Sequence, residues 1–109
     1  MKKGDVYLFS LSDSLGHEQS GSRPGILVSD LANGMIIIVP LTSNMESLRF
    51  SNTLSILPSK KNNLKGESVA LVFHLKSVDK RRAIKHIGEI DSQDYKNLHN
   101  ILNKMLFES

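Results

Sequence analysis

The chain has 109 residues, 39% hydrophobic and 23% charged, and its 14 Lys and Arg against 11 Asp and Glu give a net charge of +3. This length supports one hydrophobic core, so we expect a single domain over residues 1–109. The absence of cysteine excludes disulfides and thiolate chemistry. The longest apolar run, MIIIVPL, is too short to cross a membrane, and the first residues lack a signal-peptide pattern, so we expect a cytoplasmic protein without membrane contact.

Short blocks of β-forming residues recur along the chain and predict strands. They are separated by turn-forming sequences at 31–34, 58–66 and 79–82. Many short strands joined by irregular loops are typical of a small barrel. The predicted strands are 6–9, 25–29, 35–41, 53–57, 68–73 and 83–88.

Only the C-terminal segment has helical periodicity, because its apolar residues recur at spacings of three and four. Asp91 is the predicted N-cap, and Asp94 places negative charge at the positive end of the helix dipole. We expect the apolar stripe to be fully used in packing on the barrel. The fold class is therefore α+β, mainly β. The stripe consists of Tyr95, Leu98, Ile101, Leu102, Met105 and Leu106.

The chain lacks common motifs for metal or nucleotide chemistry. Its histidines, at 17, 74, 86 and 99, are too far apart to form a recognisable metal motif. No G-x-S-x-G, P-loop or G-x-G-x-x-G sequence is present. We expect neither a metal nor a cofactor.

Basic side chains gather in two stretches of the sequence. Such a cluster can bind the phosphates of a nucleic acid or form a solvated rim, and composition leaves both readings open. The residues are Lys60, Lys61, Lys65, Lys76, Lys80, Arg81, Arg82 and Lys85.

Two polar segments follow predicted strands: GHEQSGSRPG at 16–25 and LTS at 41–43. The first is too polar for a core and longer than the usual hairpin loop of about two to five residues. Long ordered loops are often functional. We therefore expect the site in these two segments.

These segments resemble the MazF/PemK/Kid family of toxin endoribonucleases, and the resemblance extends over nearly the whole chain. KGDVYLFSL is similar to the family's start, GHEQSGSRP to its G-[HS]-E-Q-x-G-x-R-P signature, VPLTS to a strand end, and ESVALVFHLKSVDKRR to a third region. The resemblance implies an SH3-like barrel in a single toxin domain. It also implies a type II toxin that acts as a homodimer, cleaves single-stranded RNA without a metal, and binds an acidic antitoxin.

The resemblance implies that Arg23 and Thr42 are catalytic. An arginine offers a permanent bidentate cation for phosphate oxygens, and a threonine hydroxyl can donate to a non-bridging oxygen or orient the ribose 2′-OH. Arg23 could instead be a surface arginine held by Glu18, and Thr42 simply a strand end. The other predicted substrate-binding residues are His17, Glu18, Gln19, Ser43 and His74, although Glu18 and Gln19 could instead brace the loop and His17 could be solvated.

The chain departs from the family pattern in the third region. Phe73 and His74 stand where the family has an acid followed by glutamine, and Leu71 replaces an arginine found in some relatives. His74 could replace the acid or point outward, and Phe73 could be core or a platform for a base. A catalytically inactive RNA-binding homologue is thus one alternative. A gyrase poison of the CcdB type is another, but this chain has no tryptophan.

Overall fold

A computed structural model describes residues 1–10 and 21–108 of the protein. Within those ranges the chain forms an antiparallel seven-stranded sheet followed by an α-helix. None of the helices in these ranges is long and apolar enough to cross a membrane. The elements are β1 (Asp5–Ser10), β2 (Ser22–Asp30), β3 (Met35–Thr42), β4 (Thr53–Ile56), β5 (Ser68–Leu71), β6 (Lys76–Asp79), β7 (Ala83–Glu89) and α1 (Ser92–Phe107).

The strands follow the spatial order β4-β5-β3-β2-β1-β7, and β6 pairs with β3 outside this path. The two end strands, β4 and β7, do not pair with each other in the described part of the chain, so the sheet is roughly barrel-like without closing. The predicted mainly β fold with a C-terminal helix is confirmed.

The central strands bury side chains on both faces of the sheet, which explains the long apolar run in β3. Ile26 of β2 belongs to the main core, whereas its neighbour Leu27 belongs to a second, smaller one. Since successive strand residues point to opposite faces, each core takes alternate positions. The main core also receives Leu98 and Leu102 from α1.

The predicted strand 68–73 is too long, because β5 ends at Leu71 and Val72–His74 form a 3₁₀ turn. The Leu75 N–H donates to the Val72 carbonyl at 3.0 Å and closes this turn. The next strand, β6, was missed in the sequence. Its sequence, KSVD, carries one apolar residue and no alternation, so only its pairing with β3 defines it.

The C-terminal helix is confirmed, and the Asp91 carboxylate accepts the Asp94 N–H at 2.8 Å as its N-cap. Leu98 and Leu102 are buried as predicted. Tyr95, Ile101 and Met105 are partly buried and pack against the main core. The expectation that the whole stripe is used in packing is wrong at Leu106, which is 53% exposed.

Candidate active site

The site lies where β2 and β3 separate. Their antiparallel register pairs Gly25 with Pro40, and continuing it by two residues on each strand would place Arg23 opposite Thr42. Instead β3 leaves β2 and pairs with β5, where Thr42 lies opposite Val69. Arg23 and Thr42 therefore flank the gap that opens between the diverging strands.

This gap is a cavity of about 970 Å³ with Arg23, Thr42 and Ser43 in its lining. The structure thus brings together three of the residues predicted from the two polar segments. The other described lining residues come from β1, β2, β3, β5, β7 and the segments after β3 and β4: Leu8, Ser22, Pro24, Leu41, Asn44, Asn63, Leu64, Lys65, Gly66, Glu67, Ser68, Lys85 and Ile87.

Arg23 is exposed, and its guanidinium has no hydrogen-bond or ion-pair partner among residues 1–10 and 21–108. Its backbone is fixed in β2, opposite Phe9 of β1. The guanidinium is therefore held at the cavity by a rigid strand and can present its donors to a bound anion. The alternative partner Glu18, together with His17 and Gln19, lies outside the described residues.

The Thr42 side chain is half-buried, and its Oγ1 accepts the Asn44 N–H at 3.2 Å. Because a hydroxyl also carries one donor, the Thr42 O–H can still donate to a bound group. Asn44 in turn accepts the Glu46 N–H at 3.1 Å and caps the 3₁₀ turn Met45–Arg49. Thr42 therefore belongs to a chain of capping bonds that fixes the end of β3.

The cavity wall after β4 is organised by Asn62, which is 1% exposed. Its Oδ1 accepts the N–H groups of Ser59 at 3.0 Å and Leu64 at 2.9 Å, and its Nδ2 donates to the Leu57 carbonyl at 2.9 Å. One buried amide thus satisfies several backbone groups of a segment with little apolar content. The sequence indicated only a turn here, because an asparagine among lysines looks the same whether it is buried or solvated.

The same wall is joined to β7. The Glu89 N–H donates to the Lys61 carbonyl at 3.0 Å, and Asn63 Nδ2 donates to the Ile87 carbonyl at 2.8 Å. At Gly88 a Cβ would collide with the Lys61 carbonyl, so this close approach requires glycine. The contacts bring two distant segments together around Arg23 and Thr42.

Most of the charged side chains in the described lining of the larger cavity are basic. Lys65 and Lys85 join Arg23, and the carboxylate present is that of Glu67, which accepts a hydrogen bond from Ser55 Oγ at 2.6 Å. An excess of cations in a concave site raises the local concentration of anionic ligands. Lys65 and Lys85 were noted in the sequence only as members of a basic cluster.

His74 lines a second, smaller cavity of about 330 Å³. Arg23 lines this cavity as well, together with Lys76 and Arg82, so Arg23 stands between the two cavities. Arg82 Nη1 donates to the Ser10 carbonyl at 3.4 Å. The predicted residue His74 is therefore next to Arg23 but in a different cavity from Thr42.

Other members of the basic cluster are paired with acids. Lys80 Nζ lies 2.9 Å from Asp30 Oδ2, and Arg81 Nη2 lies 2.8 Å from Asp79 Oδ2. Hydrogen bonds from the Arg81 side chain and backbone lower the pKa of Asp79 to about 2. The cluster is thus both a solvated rim and, at Lys65, Lys76 and Lys85, part of the cavity lining.

The whole-chain comparison assigns a family. A profile of the family described as PemK-like, MazF-like toxin of type II toxin-antitoxin system matches residues 2–106. Together with the mainly β fold, this match defines the chain as a small toxin protein. It belongs to the PemK-like, MazF-like family of type II toxin–antitoxin toxins, as the sequence motifs predicted.

Two curated relatives have similar lengths. The chain is 28% identical over 97 residues to Endoribonuclease EndoA of Bacillus subtilis strain 168, covering 85% of this chain and 83% of the relative. It is also 28% identical over 107 residues to Endoribonuclease MazF of Staphylococcus saprophyticus, covering 94% and 88% respectively.

The fold is also similar to solved structures of Deinococcus radiodurans proteins. A MazE-MazF crystal structure (Form-II) matches with a TM-score of 0.77 at 24% identity, over 100% of this chain and 97% of that one. A MazF crystal structure (Form-I) matches with a TM-score of 0.74 at 24% identity, over 97% and 96%. These likenesses establish the fold.

Proposed function

We propose that this toxin is a sequence-selective endoribonuclease that cleaves single-stranded messenger RNA without a metal ion. The observation that carries the proposal is the position of Arg23 and Thr42 at one basic cavity, with a guanidinium that no described residue pairs. Relatives named as endoribonucleases support the activity. The whole chain then acts as one toxin domain.

The reaction is an intramolecular transesterification. The ribose 2′ oxygen attacks the adjacent phosphorus and loses its proton, the bond from phosphorus to the 5′ oxygen breaks, and that oxygen gains a proton. The products are a 2′,3′-cyclic phosphate and a 5′-hydroxyl end. The phosphorane formed on the way is more negative than the diester, so donors aimed at its oxygens lower the barrier.

Arg23 and Thr42 supply those donors. The planar fork of the guanidinium matches two phosphate oxygens, and its charge does not depend on pH. The Thr42 O–H donates to a non-bridging oxygen or orients the 2′-OH, while its acceptor side is held by the Asn44 N–H. A single well-placed donor of this kind is worth about 3 to 4 kcal/mol of activation free energy.

Substrate binding extends on both sides of Arg23. Ser43 contacts the RNA strand in the larger cavity, and His74 contacts it in the smaller cavity. Lys65 and Lys85 attract neighbouring phosphates through the release of counterions. We assign His17, Glu18 and Gln19 to substrate binding as well, from the sequence motif alone.

The partner is an acidic antitoxin that competes for the basic cavities, and the similarity of this chain to MazE-MazF crystal structures supports such a complex. Acidic disordered segments order on basic grooves when they bind. We further propose that the toxin works as a homodimer in the cytoplasm, where messenger RNA is translated.

Cleavage in the presence of EDTA tests the proposal. The purified protein is incubated with total RNA and excess chelator, and the ends are identified by mass spectrometry. We expect cyclic phosphate and 5′-hydroxyl ends. Recovery of 3′-hydroxyl ends, or cleavage that begins only after a divalent metal is added, would contradict the mechanism.

A second candidate function is RNA binding without cleavage. It is favoured by Phe73, which stands where the family has an acid and is 41% exposed. Binding of RNA by a folded protein that leaves no new ends would support this alternative. The gyrase-poison alternative has no such observation in its favour.

A further inference from the structure

Two exposed phenylalanines form a cluster outside both cavities. Phe50 is 49% exposed and Phe73 is 41% exposed, and their ring centroids are 5.8 Å apart with planes inclined by 59°. Large aromatic side chains left in water at adjacent positions lose the free energy that burial would give them. Their exposure is therefore a reason to look for a ligand.

A cationic or titratable group lies beside each ring. The Arg49 guanidinium carbon is 5.1 Å from the Phe50 ring centroid, within the range of a cation–π contact. The His74 ring centroid is 4.6 Å from that of Phe73. We call these four side chains, Arg49, Phe50, Phe73 and His74, the aromatic platform.

Backbone hydrogen bonds hold the platform in place. The Phe73 N–H donates to the Asn52 carbonyl at 3.2 Å, which joins the two segments that carry the rings. Thr53 Oγ1 donates to the Phe50 carbonyl at 2.9 Å. Because both backbones are fixed, a flat ligand does not have to order them when it binds.

The aromatic platform continues the candidate active site. His74 belongs to the platform and also lines the smaller cavity, which it shares with Arg23. An RNA strand with one phosphate at Arg23 can therefore pass through the smaller cavity, beside Lys76 and Arg82, and reach the Phe50 and Phe73 rings. Basic grooves interleaved with aromatic faces are the usual design of single-strand nucleic-acid sites.

We propose that the aromatic platform is a stacking site for an unpaired base of the RNA strand, outside the cleavage position. This inference rests on the proposed function. It gives Phe73 a role in binding at the position where the family has an acid. An apolar protein partner fits less well, because it would remove water from the Arg49 guanidinium and from His74 without supplying an acceptor. A nucleotide supplies a π-face for the rings and a phosphate for the cation.

The test measures binding with oligomers that cannot be cleaved. Fluorescein-labelled 12-mers of 2′-O-methyl adenosine and of abasic deoxyribose phosphate are titrated with wild-type protein and with the Phe50→Leu and Phe73→Leu variants. Leucine keeps an apolar side chain and removes the flat ring. We expect each variant to bind the adenosine 12-mer about tenfold more weakly and the abasic 12-mer as the wild type does.

Phe107→Leu is the matched control, because Phe107 is 79% exposed and makes no ring contact with the aromatic platform. It should leave binding of both 12-mers unchanged. The proposal is overturned if wild type does not bind the adenosine 12-mer, if the ring variants bind it as wild type does, or if they lose equal affinity for both 12-mers. A change of sedimentation coefficient in the ring variants also overturns it, since the rings would then lie between two copies of the chain.

These outcomes are independent of cleavage. If the ring variants lose affinity only for the adenosine 12-mer and the wild type leaves no new RNA ends, the stacking site is retained and the proposed catalysis is rejected. Cleavage in EDTA together with unchanged binding by the ring variants keeps the catalysis and rejects the stacking site.

Discussion

Arg23 and Thr42 flank the point at which β2 and β3 part, and both line the larger cavity. A short departure from regular pairing therefore places a guanidinium and a hydroxyl on two rigid strands rather than on a mobile loop. Donors held in this way need little reorganisation when charge develops on a substrate.

Thr42→Val should reduce the rate of RNA cleavage about a hundredfold, because it removes one donor and keeps the β-branched shape preferred in a strand. It also removes the acceptor of the Asn44 N–H, which should cost about 1 kcal/mol of stability. Single-turnover cleavage and urea unfolding measure the two effects. Ser43→Ala, at the next position, should be much milder on the rate, and equal losses for both variants would contradict the role of Thr42.

Asn62→Ala should lower the free energy of unfolding by about 1 to 3 kcal/mol, because the backbone groups of Ser59, Leu57 and Leu64 lose a buried partner. Urea unfolding measures this change. Asn100→Ala on the exposed side of α1 is the control and should have little effect. A stability for Asn62→Ala equal to that of the control would show that this amide does not organise the cavity wall.

Leu102→Ala should destabilise the fold by about 2 to 5 kcal/mol, because it leaves a cavity in the main core. Leu106→Ala, one turn further along the same helix, should cost far less, since Leu106 is 53% exposed. Thermal unfolding of both variants compares them directly. Neither leucine change should alter the cleavage chemistry. A folded Asn103→Ala protein should also cleave RNA at the wild-type rate.

The Asp79 carboxylate makes stability depend on pH. Its folded pKa is lowered to about 2 from an ordinary value of 3.8 by hydrogen bonds from Arg81. A lowered pKa means that the stabilisation is complete above pH 3.8 and is lost as the pH falls toward 2. Asp79→Asn should therefore reduce the slope of stability against pH in this interval, which thermal unfolding at pH 2 to 5 measures. An unchanged slope would contradict the Arg81 contact.

The sequence predicted the strands with a clear apolar pattern, the capped helix, and the two segments that meet at the larger cavity. These features depend on local periodicity and on a long motif. The sequence did not predict the 3₁₀ turn that exposes Phe73, because Val72 and Phe73 continue the apolar pattern of β5. The turn is closed by the local bond from the Leu75 N–H to the Val72 carbonyl and held by the bond from the Phe73 N–H to the Asn52 carbonyl, which is a tertiary contact.

The outer wall of the larger cavity was also beyond prediction. Lys65 and Lys85 come from segments that meet where the loop after β4 lies on β7, a close approach that requires Gly88. His74 was predicted with Arg23 and Thr42, but the turn directs it to the smaller cavity. Such relations depend on how distant elements pack, which single-sequence patterns do not record.

The most direct test of the assigned site is single-turnover cleavage of one RNA by wild type, Arg23→Lys and Arg23→Ala in EDTA. Arg23→Ala should be slower than wild type by about 100- to 1,000-fold, since an essential donor to the phosphorane is gone. Arg23→Lys should recover only part of this loss, because an ammonium lacks the planar fork. All three proteins should show the same circular dichroism, as Arg23 is exposed and leaves no core cavity. Cleavage by folded Arg23→Ala at the wild-type rate would contradict the assigned site.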